Sequence, residues 1–217
     1  MTFKNRNDAG ILLAEKLDQY IKENTVLLAI PRGGVPVAFE IAKKYFLPLE
    51  PIMIKKIGHP LNKEYAIGAA SLTHHFIKNH EEINPVYVNE ELKKIRSKMI
   101  STYSKFMGSR QPMDLKNKTV IIIDDGMATG NTMLATIQIV EKSNPEKIIV
   151  ATPVASMSAL KLLRASADDV ICYYVPSEFH GVGAFYKDFD QVEDDEVIQY
   201  LSHASKLREQ GNSENKT

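Results

Sequence analysis

The run Val120-Ile121-Ile122-Ile123-Asp124-Asp125-Gly126-Met127-Ala128-Thr129-Gly130-Asn131-Thr132-Met133 concentrates the residue types that can do chemistry. A buried strand delivers two adjacent carboxylates to the sheet edge, and a loop of small and hydroxyl residues then opens a helix. Small residues let a ligand approach the backbone, successive N–H groups form an anion cradle, and the helix N-terminus adds a favourable dipole. The hydroxyls of Thr129 and Thr132 can donate to phosphate oxygens. Two acids beside such a cradle would repel a phosphate, so they need another partner. Sugar hydroxyls donating to them would serve, as would a metal ion met through water. A ribose 5-phosphate meets both demands. No Gly-Lys-Ser/Thr follows, so this is not a Walker loop, and the Gly-x-Gly-x-x-Gly fingerprint of dinucleotide sites is absent.

An alternation of strands and helices must position this loop. Asp8 to Glu23 has the apolar spacing of one helical face, with Asp8 as cap. Thr25–Ile30 is an unbroken apolar run, the mark of a strand buried on both faces of a parallel sheet. The breaker cluster Pro31-Arg32-Gly33-Gly34-Val35-Pro36 follows, then a helix over Val37–Tyr45. Glu50–Ile57 reads as a strand, and Ala66–Leu72, His75–Lys78 and Pro85–Val88 read as shorter ones forming a hairpin excursion. Asn89 caps a charged helix to about Phe106. Thr119–Ile123 is the most strand-like segment, with a helix over Thr132–Lys142. Lys147–Pro153, Ser156–Ala165 and Asp169–Val175 repeat strand, helix, strand. Pro176–Asp190 is irregular and aromatic, and Asp194–Lys206 is a last helix. The pattern predicts an α/β fold with a doubly wound, mostly parallel sheet and a small hood or hairpin excursion, its ligands at the carboxyl ends of the strands. One domain is expected over 1–207, with a polar, disordered tail over 208–217.

Composition closes off several function classes. With 217 residues, 44% of them apolar and 25% charged, the chain can bury a sizeable core. Twenty-seven basic and 27 acidic residues balance, so no global charge recruits a nucleic acid or an anionic membrane. Residues 1–110 nevertheless hold 17 Lys/Arg against 11 Asp/Glu, which suits an anionic ligand held mainly by the first half and equally suits two faces of an ordinary soluble protein. The single cysteine, Cys172, excludes an internal disulfide and fits a reducing compartment, and its apolar neighbours make it a packed strand residue. No apolar run is long enough to span a membrane, and the first residues lack the apolar stretch of a signal peptide, so a cytoplasmic location is expected. His74 and His75 would point to opposite faces of a strand, and no His-Glu-x-x-His pattern exists, which argues against a zinc site held by the protein.

The strand, the two acids and the Thr-Gly-x-Thr loop resemble the signature of the type I phosphoribosyltransferases. The resemblance implies 5-phosphoribosyl 1-diphosphate and a nitrogenous base as substrates, with magnesium carried on the diphosphate. It implies that Asp124 and Asp125 hold the ribose hydroxyls and meet the metal only indirectly. Ala128, Thr129, Gly130, Asn131 and Thr132 would hold the 5-phosphate. Gly126 and Asn131 depart from the family pattern, which usually has an aliphatic residue and Gly there.

Ile30-Pro31-Arg32-Gly33-Gly34 is similar to the family's diphosphate loop. Arg32 can pair bidentately with a diphosphate, and Gly33 and Gly34 let backbone N–H groups reach it. Relatives often place a non-proline cis peptide in this loop, so one is expected near Arg32-Gly33. Lys55 and Lys56 end the second strand, from which they either reach the diphosphate or remain solvated. The segment from there to Ala66, with His59 and Glu64, lies where the family carries a lid. Pro176–Phe189 either stacks on a planar base as part of a hood or forms an aromatic mini-core packing the terminal helix. Ala128 stands where relatives acting on 6-oxopurines carry an Asp, which disfavours those bases, although a hood acid such as Glu178 or Asp188 could substitute. A symmetric homodimer is common in the family. Some members sense phosphoribosyl diphosphate or nucleotides without catalysis, which is the alternative reading.

Overall fold

Helix α1 (Arg6–Ala14) leads into strand β1 (Thr25–Ala29) and helix α2 (Gly34–Tyr45). The chain then forms four short strands, β2 (Leu49–Pro51), β3 (Lys55–Gly58), β4 (Ala66–Ala70) and β5 (His75–Ile77), before the long helix α3 (Pro85–Met107). The second half alternates strictly: β6 (Thr119–Ile123), α4 (Asn131–Val140), β7 (Lys147–Val154), α5 (Met157–Leu163), β8 (Asp169–Tyr174) and α6 (Asp194–Glu214). This computed structural model describes residues 1–78 and 83–214. Five strands form a fully parallel sheet in the order β2-β1-β6-β7-β8, and β3-β4-β5 form a separate antiparallel sheet.

The period of two along a strand sorts the core. Leu27, Ala29, Ile121 and Ile123 face α1, α2 and α6. Val26, Leu28, Val120 and Ile122 face α4 and α5 on the other side. The sheet is therefore covered on both faces, as the doubly wound reading expects. Cys172 on β8 is half-buried, and burial pushes its thiol up to about 11, in keeping with a packed residue. Among the described residues no helix is long and apolar enough to cross a membrane.

Several element boundaries differ from the sequence reading: the helix expected over Asp8 to Glu23 ends at Ala14 and is followed by a 3-10 turn over Asp18–Tyr20, and four further differences have local reasons. The cap of α1 is Asn5, whose side chain accepts from Asp8 N–H at 3.0 Å, while Asp8 reaches back to the Lys4 N–H at 2.9 Å. The stretch read as one strand over Glu50–Ile57 is two. Pro51, unable to donate, sits on the edge strand β2, and the chain then leaves the large sheet to pair Lys55 with Ala70. Pro85–Val88 is helical. Asn84 caps it by accepting from Val86 N–H at 2.9 Å, with Pro85 in the first turn, so the β-branched pair Val86 and Val88 is overridden. Finally α6 continues through Arg208 to Glu214 instead of yielding to a tail. Gly211 lies under the Phe46 ring, where an added Cβ would come within 2.7 Å, so packing holds this polar turn in place. Residues 215–217 of the expected tail lie outside the described residues.

Candidate functional site

Strands β1 and β6 run side by side with Ala29 opposite Ile123, so the loops that follow them open together at the carboxyl edge of the sheet. They pack closely. A Cβ on Gly34 would lie 2.7 Å from the Ile123 carbonyl oxygen, and one on Gly33 would lie 2.0 Å from Asp125 Oδ2. The two glycines thus admit the second loop as well as offering backbone to a ligand. The Pro31-Arg32 peptide is cis, one bond before the expected place.

Asp124 and Asp125 stand together at this edge. Asp125 N–H donates to Asp124 Oδ1 at 2.9 Å. Burial, followed by the charge of Asp125, pushes the Asp124 carboxyl well above the usual carboxylate range. Asp125 has a partner that no sequence motif announces. Arg6 Nε donates to Asp125 Oδ2 at 2.7 Å, with side-chain exposures of only 12% and 14%. The same guanidinium donates to the Asp190 carbonyl at 2.7 Å and lies 3.9 Å above the Phe189 ring. Tyr186 Oη donates to the Asp125 carbonyl at 2.6 Å, and its phenol is pushed up by burial and then by the Asp125 charge.

Beyond the acids, the chain turns through Gly130 (φ 76°), a left-handed conformation suited to glycine, into α4. The loop is braced from behind. Ser156 Oγ donates to the Ala128 carbonyl at 2.6 Å, and Met127 forms a bridge with Ala155. Ala128, Thr129, Asn131 and Thr132 are exposed, and Asn131 N–H donates to Thr129 Oγ1 at 3.4 Å. Gly126, the departure from the family pattern, has a physical cause. A Cβ there would meet Val182 Cγ1 at 2.4 Å, so the aromatic segment fills the space that an aliphatic side chain would need.

The structure brings Arg32, Gly33, Gly34, Asp124, Asp125 and the 128–132 loop to one edge. The Arg32 guanidinium leans toward the start of α6, 3.5 Å from Glu193 and 3.6 Å from Asp194. Lys55 and Lys56 are exposed on β3 of the small sheet, and no described contact ties them to the acid pair. His59 Nδ1 accepts from the Leu61 N–H at 3.1 Å, and its ring meets Tyr65 edge-on. Phe179, Phe185, Tyr186 and Phe189 pack on one another and on Phe3. These aromatics thus form a mini-core whose packing partner is the N-terminal residues, where the sequence reading has the terminal helix.

A separate cavity of about 230 Å³ lies between β2, the β4–β5 turn and α3, with Glu50 and Tyr103 in its wall. Met113 N–H reaches both Glu50 oxygens, at 3.2 and 3.0 Å, yet burial still pushes the Glu50 carboxyl above its ordinary 4.5. A group raised in the folded state contributes stability that is complete below its unfolded value and is lost as pH rises through the folded one. Glu50→Gln is therefore expected to flatten the fall in stability as pH rises above 4.5, and melting curves across that range check it. A Gln variant that loses stability more steeply than wild type would contradict the burial account.

The model of the phosphoribosyl transferase domain family matches residues 4–188. A Mycobacterium tuberculosis protein carried under a provisional phosphoribosyl transferase name, found in two strains, is 33% identical over 207 residues. That match covers 93% of this chain and 47% of the relative, so the chain spans about half the length of the curated relatives it matches. The crystal structure of TT1426 from Thermus thermophilus superposes with a TM-score of 0.84 at 34% identity, covering 94% of this chain and 99% of that one. With the family model extending over most of its length, the chain belongs to the phosphoribosyl transferase domain family.

Proposed function

We propose that the chain transfers a 5-phosphoribosyl group from 5-phosphoribosyl 1-diphosphate to a nitrogenous base with release of diphosphate. The observation that carries this reading is the meeting, at one sheet edge, of the Arg32-Gly33-Gly34 loop, the Asp124–Asp125 pair and the 128–132 loop. Thr129 to Thr132 and the start of α4 would take the 5-phosphate, the two acids the ribose hydroxyls, and Arg32 the diphosphate. The Arg32 contacts to Glu193 and Asp194 are exposed and long, so a diphosphate could displace them at little cost. Lys55 and Lys56 would reach the same diphosphate if the small sheet closed over it.

In the reaction the bond from the anomeric carbon to the diphosphate oxygen breaks, and its electron pair leaves with the diphosphate. The base nitrogen supplies the pair for the new carbon–nitrogen bond and loses its proton to solvent. The ring passes through an oxocarbenium-like state, so the protein's work is positioning and electrostatics, with the carboxylates close to the developing positive charge. Among the described residues no three His, Cys, Asp or Glu side chains are grouped to hold a metal ion. The paired carboxylates of Asp124 and Asp125 fit a magnesium ion held mainly by substrate oxygens and water, with the acid pair in outer contact, where the ion would offset the charge of the diphosphate. Ala128 offers no carboxylate to a purine N7, which places 6-oxopurines low among candidate bases. We place the reaction in the cytoplasm, which the lone free thiol favours, and expect a homodimer, a common soluble assembly, to be checked by light scattering.

Calorimetric titration with phosphoribosyl diphosphate, with and without magnesium, tests the reading, followed by a base panel scored by diphosphate release. Magnesium-dependent binding and base-dependent release are expected. Binding without turnover on any base would favour the ligand-sensing alternative, and no binding by folded protein would remove the sugar-phosphate site.

A further inference from the structure

The geometry points to Arg6 as a positioning residue that holds Asp125 in the orientation needed to receive a ribose hydroxyl. The inference rests on the sugar-phosphate reading above and adds a residue that lies outside both ligand loops.

The Arg6 guanidinium is constrained on three sides. Nε is committed to Asp125 Oδ2, Nη1 to the Asp190 carbonyl, and one face rests on Phe189. Its backbone is anchored too. It occupies the first position of α1, directly after the Asn5 cap, and Phe3 before it exchanges hydrogen bonds with Phe185 and Lys187. A guanidinium held this firmly spends little further entropy when Asp125 must be kept still.

Asp125 is equally confined. Its Oδ2 touches the Gly33 backbone on one side and Arg6 on the other, while its own carbonyl takes the Tyr186 hydroxyl. The closest of these contacts fall on Oδ2 and fix the plane of the carboxylate, and with it the direction in which Oδ1 faces. There is also a charge argument. Two neighbouring acids at an edge that must admit a polyanion would repel both each other and the ligand. A nearly buried Arg6 offsets one of those charges where water screens little.

A purely structural Arg6 would only fasten the N-terminal segment to the aromatic one, and its loss would affect every ligand alike or simply lower the melting temperature. A positioning role is selective. The test compares wild type, Arg6→Gln, Arg6→Lys and Phe3→Ala by calorimetry with three probes: phosphoribosyl diphosphate, ribose 5-phosphate and inorganic diphosphate. Phe3→Ala loosens the same anchorage without removing a contact to Asp125.

For Arg6→Gln the expected result is a loss of roughly 10- to 100-fold in affinity for the two sugar phosphates, the size of one charge-assisted hydrogen bond, with inorganic diphosphate binding unchanged within about twofold. Arg6→Lys should recover part of that loss, and Phe3→Ala should lower the melting temperature while keeping the wild-type preference among probes. Should Arg6→Gln fail to fold, the comparison of Arg6→Lys with Phe3→Ala carries the same contrast. Equal weakening of all three probes, or sugar-phosphate binding that survives Arg6→Gln, overturns the positioning role and leaves the sugar-phosphate site intact. A folded wild-type protein that binds inorganic diphosphate but neither sugar phosphate overturns both readings at once.

Discussion

Asp124→Asn combined with Asp125→Asn is expected to abolish detectable turnover and to weaken phosphoribosyl diphosphate binding by at least about 100-fold. Each carboxylate accepts from a sugar hydroxyl in the proposed complex, and a hydrogen bond to a charged group contributes about 1.5–3 kcal/mol. Two of them amount to roughly 3–6 kcal/mol, or about two to four decades in affinity. The same substitutions act oppositely on stability. The folded site raises the Asp124 carboxyl, so the stability tied to its protonated form is complete below the unfolded value and is lost as pH rises through the folded one. Asp124→Asn removes that loss. Asp125→Asn keeps an oxygen for Arg6 but turns a nearly buried ion pair into a charge–dipole contact, which costs about 2 kcal/mol, or a melting temperature lower by about 4–8 °C. The protein should remain folded, as circular dichroism will show. Turnover retained by the double variant would sink the ribose-holding role.

Gly33→Ala should be nearly as damaging, for a reason unconnected with glycine's flexibility. Gly33 has φ −61° and ψ −33°, values that alanine adopts readily. The obstacle is the neighbouring carboxylate, since the new Cβ would lie 2.0 Å from Asp125 Oδ2 and 2.6 Å from its Cγ. Asp125 is pinned by Arg6 and cannot swing aside without giving up that pair. A displacement of about 1 Å at such a group costs about 100-fold in rate, and the crowding itself about 1–3 kcal/mol of stability. A double-mutant cycle isolates the cause. In an Asp125→Ala background Gly33→Ala should have almost no effect on stability. An unchanged penalty in that background would mean that the clash lies elsewhere.

The part of the site that could be read from the chain is the part written in consecutive residues. Thr119 to Ile123 is apolar at every position after the first, and Asp124, Asp125 and the small residues behind them follow without interruption, so strand, acids and cradle are legible together. The large sheet is legible for a similar reason, because strand and helix patterns alternate cleanly from Thr119 to Tyr174. Arg6 carries no such signal, as it meets Asp125 across 119 positions and resembles any surface arginine near a helix start. Gly126 reads as a departure from the family pattern until Val182 is seen occupying the space beside it. The small sheet was obscured by a short-range ambiguity: Glu50 to Ile57 is apolar enough for one strand, and only edge pairing at Pro51 shows the chain changing sheets. Val86 and Val88 favoured a strand, and the cap at Asn84 with Pro85 outweighed them.

The joining of Phe3 and Arg6 to the segment around Tyr186 also sets an order of events during synthesis. Arg6 lies 119 residues from Asp125 and 184 from Asp190, so these contacts close some of the longest loops in the fold. Contacts of such high sequence separation form late and slow folding. On the ribosome α1 packs on α2 soon after both are made, whereas Arg6 leaves the exit tunnel long before Asp125 and Asp190, and the acid pair leaves it before Tyr186. The large sheet can be assembled while the ligand-binding edge is still unformed, which makes acquisition of sugar-phosphate affinity a late event in the life of a newly made chain.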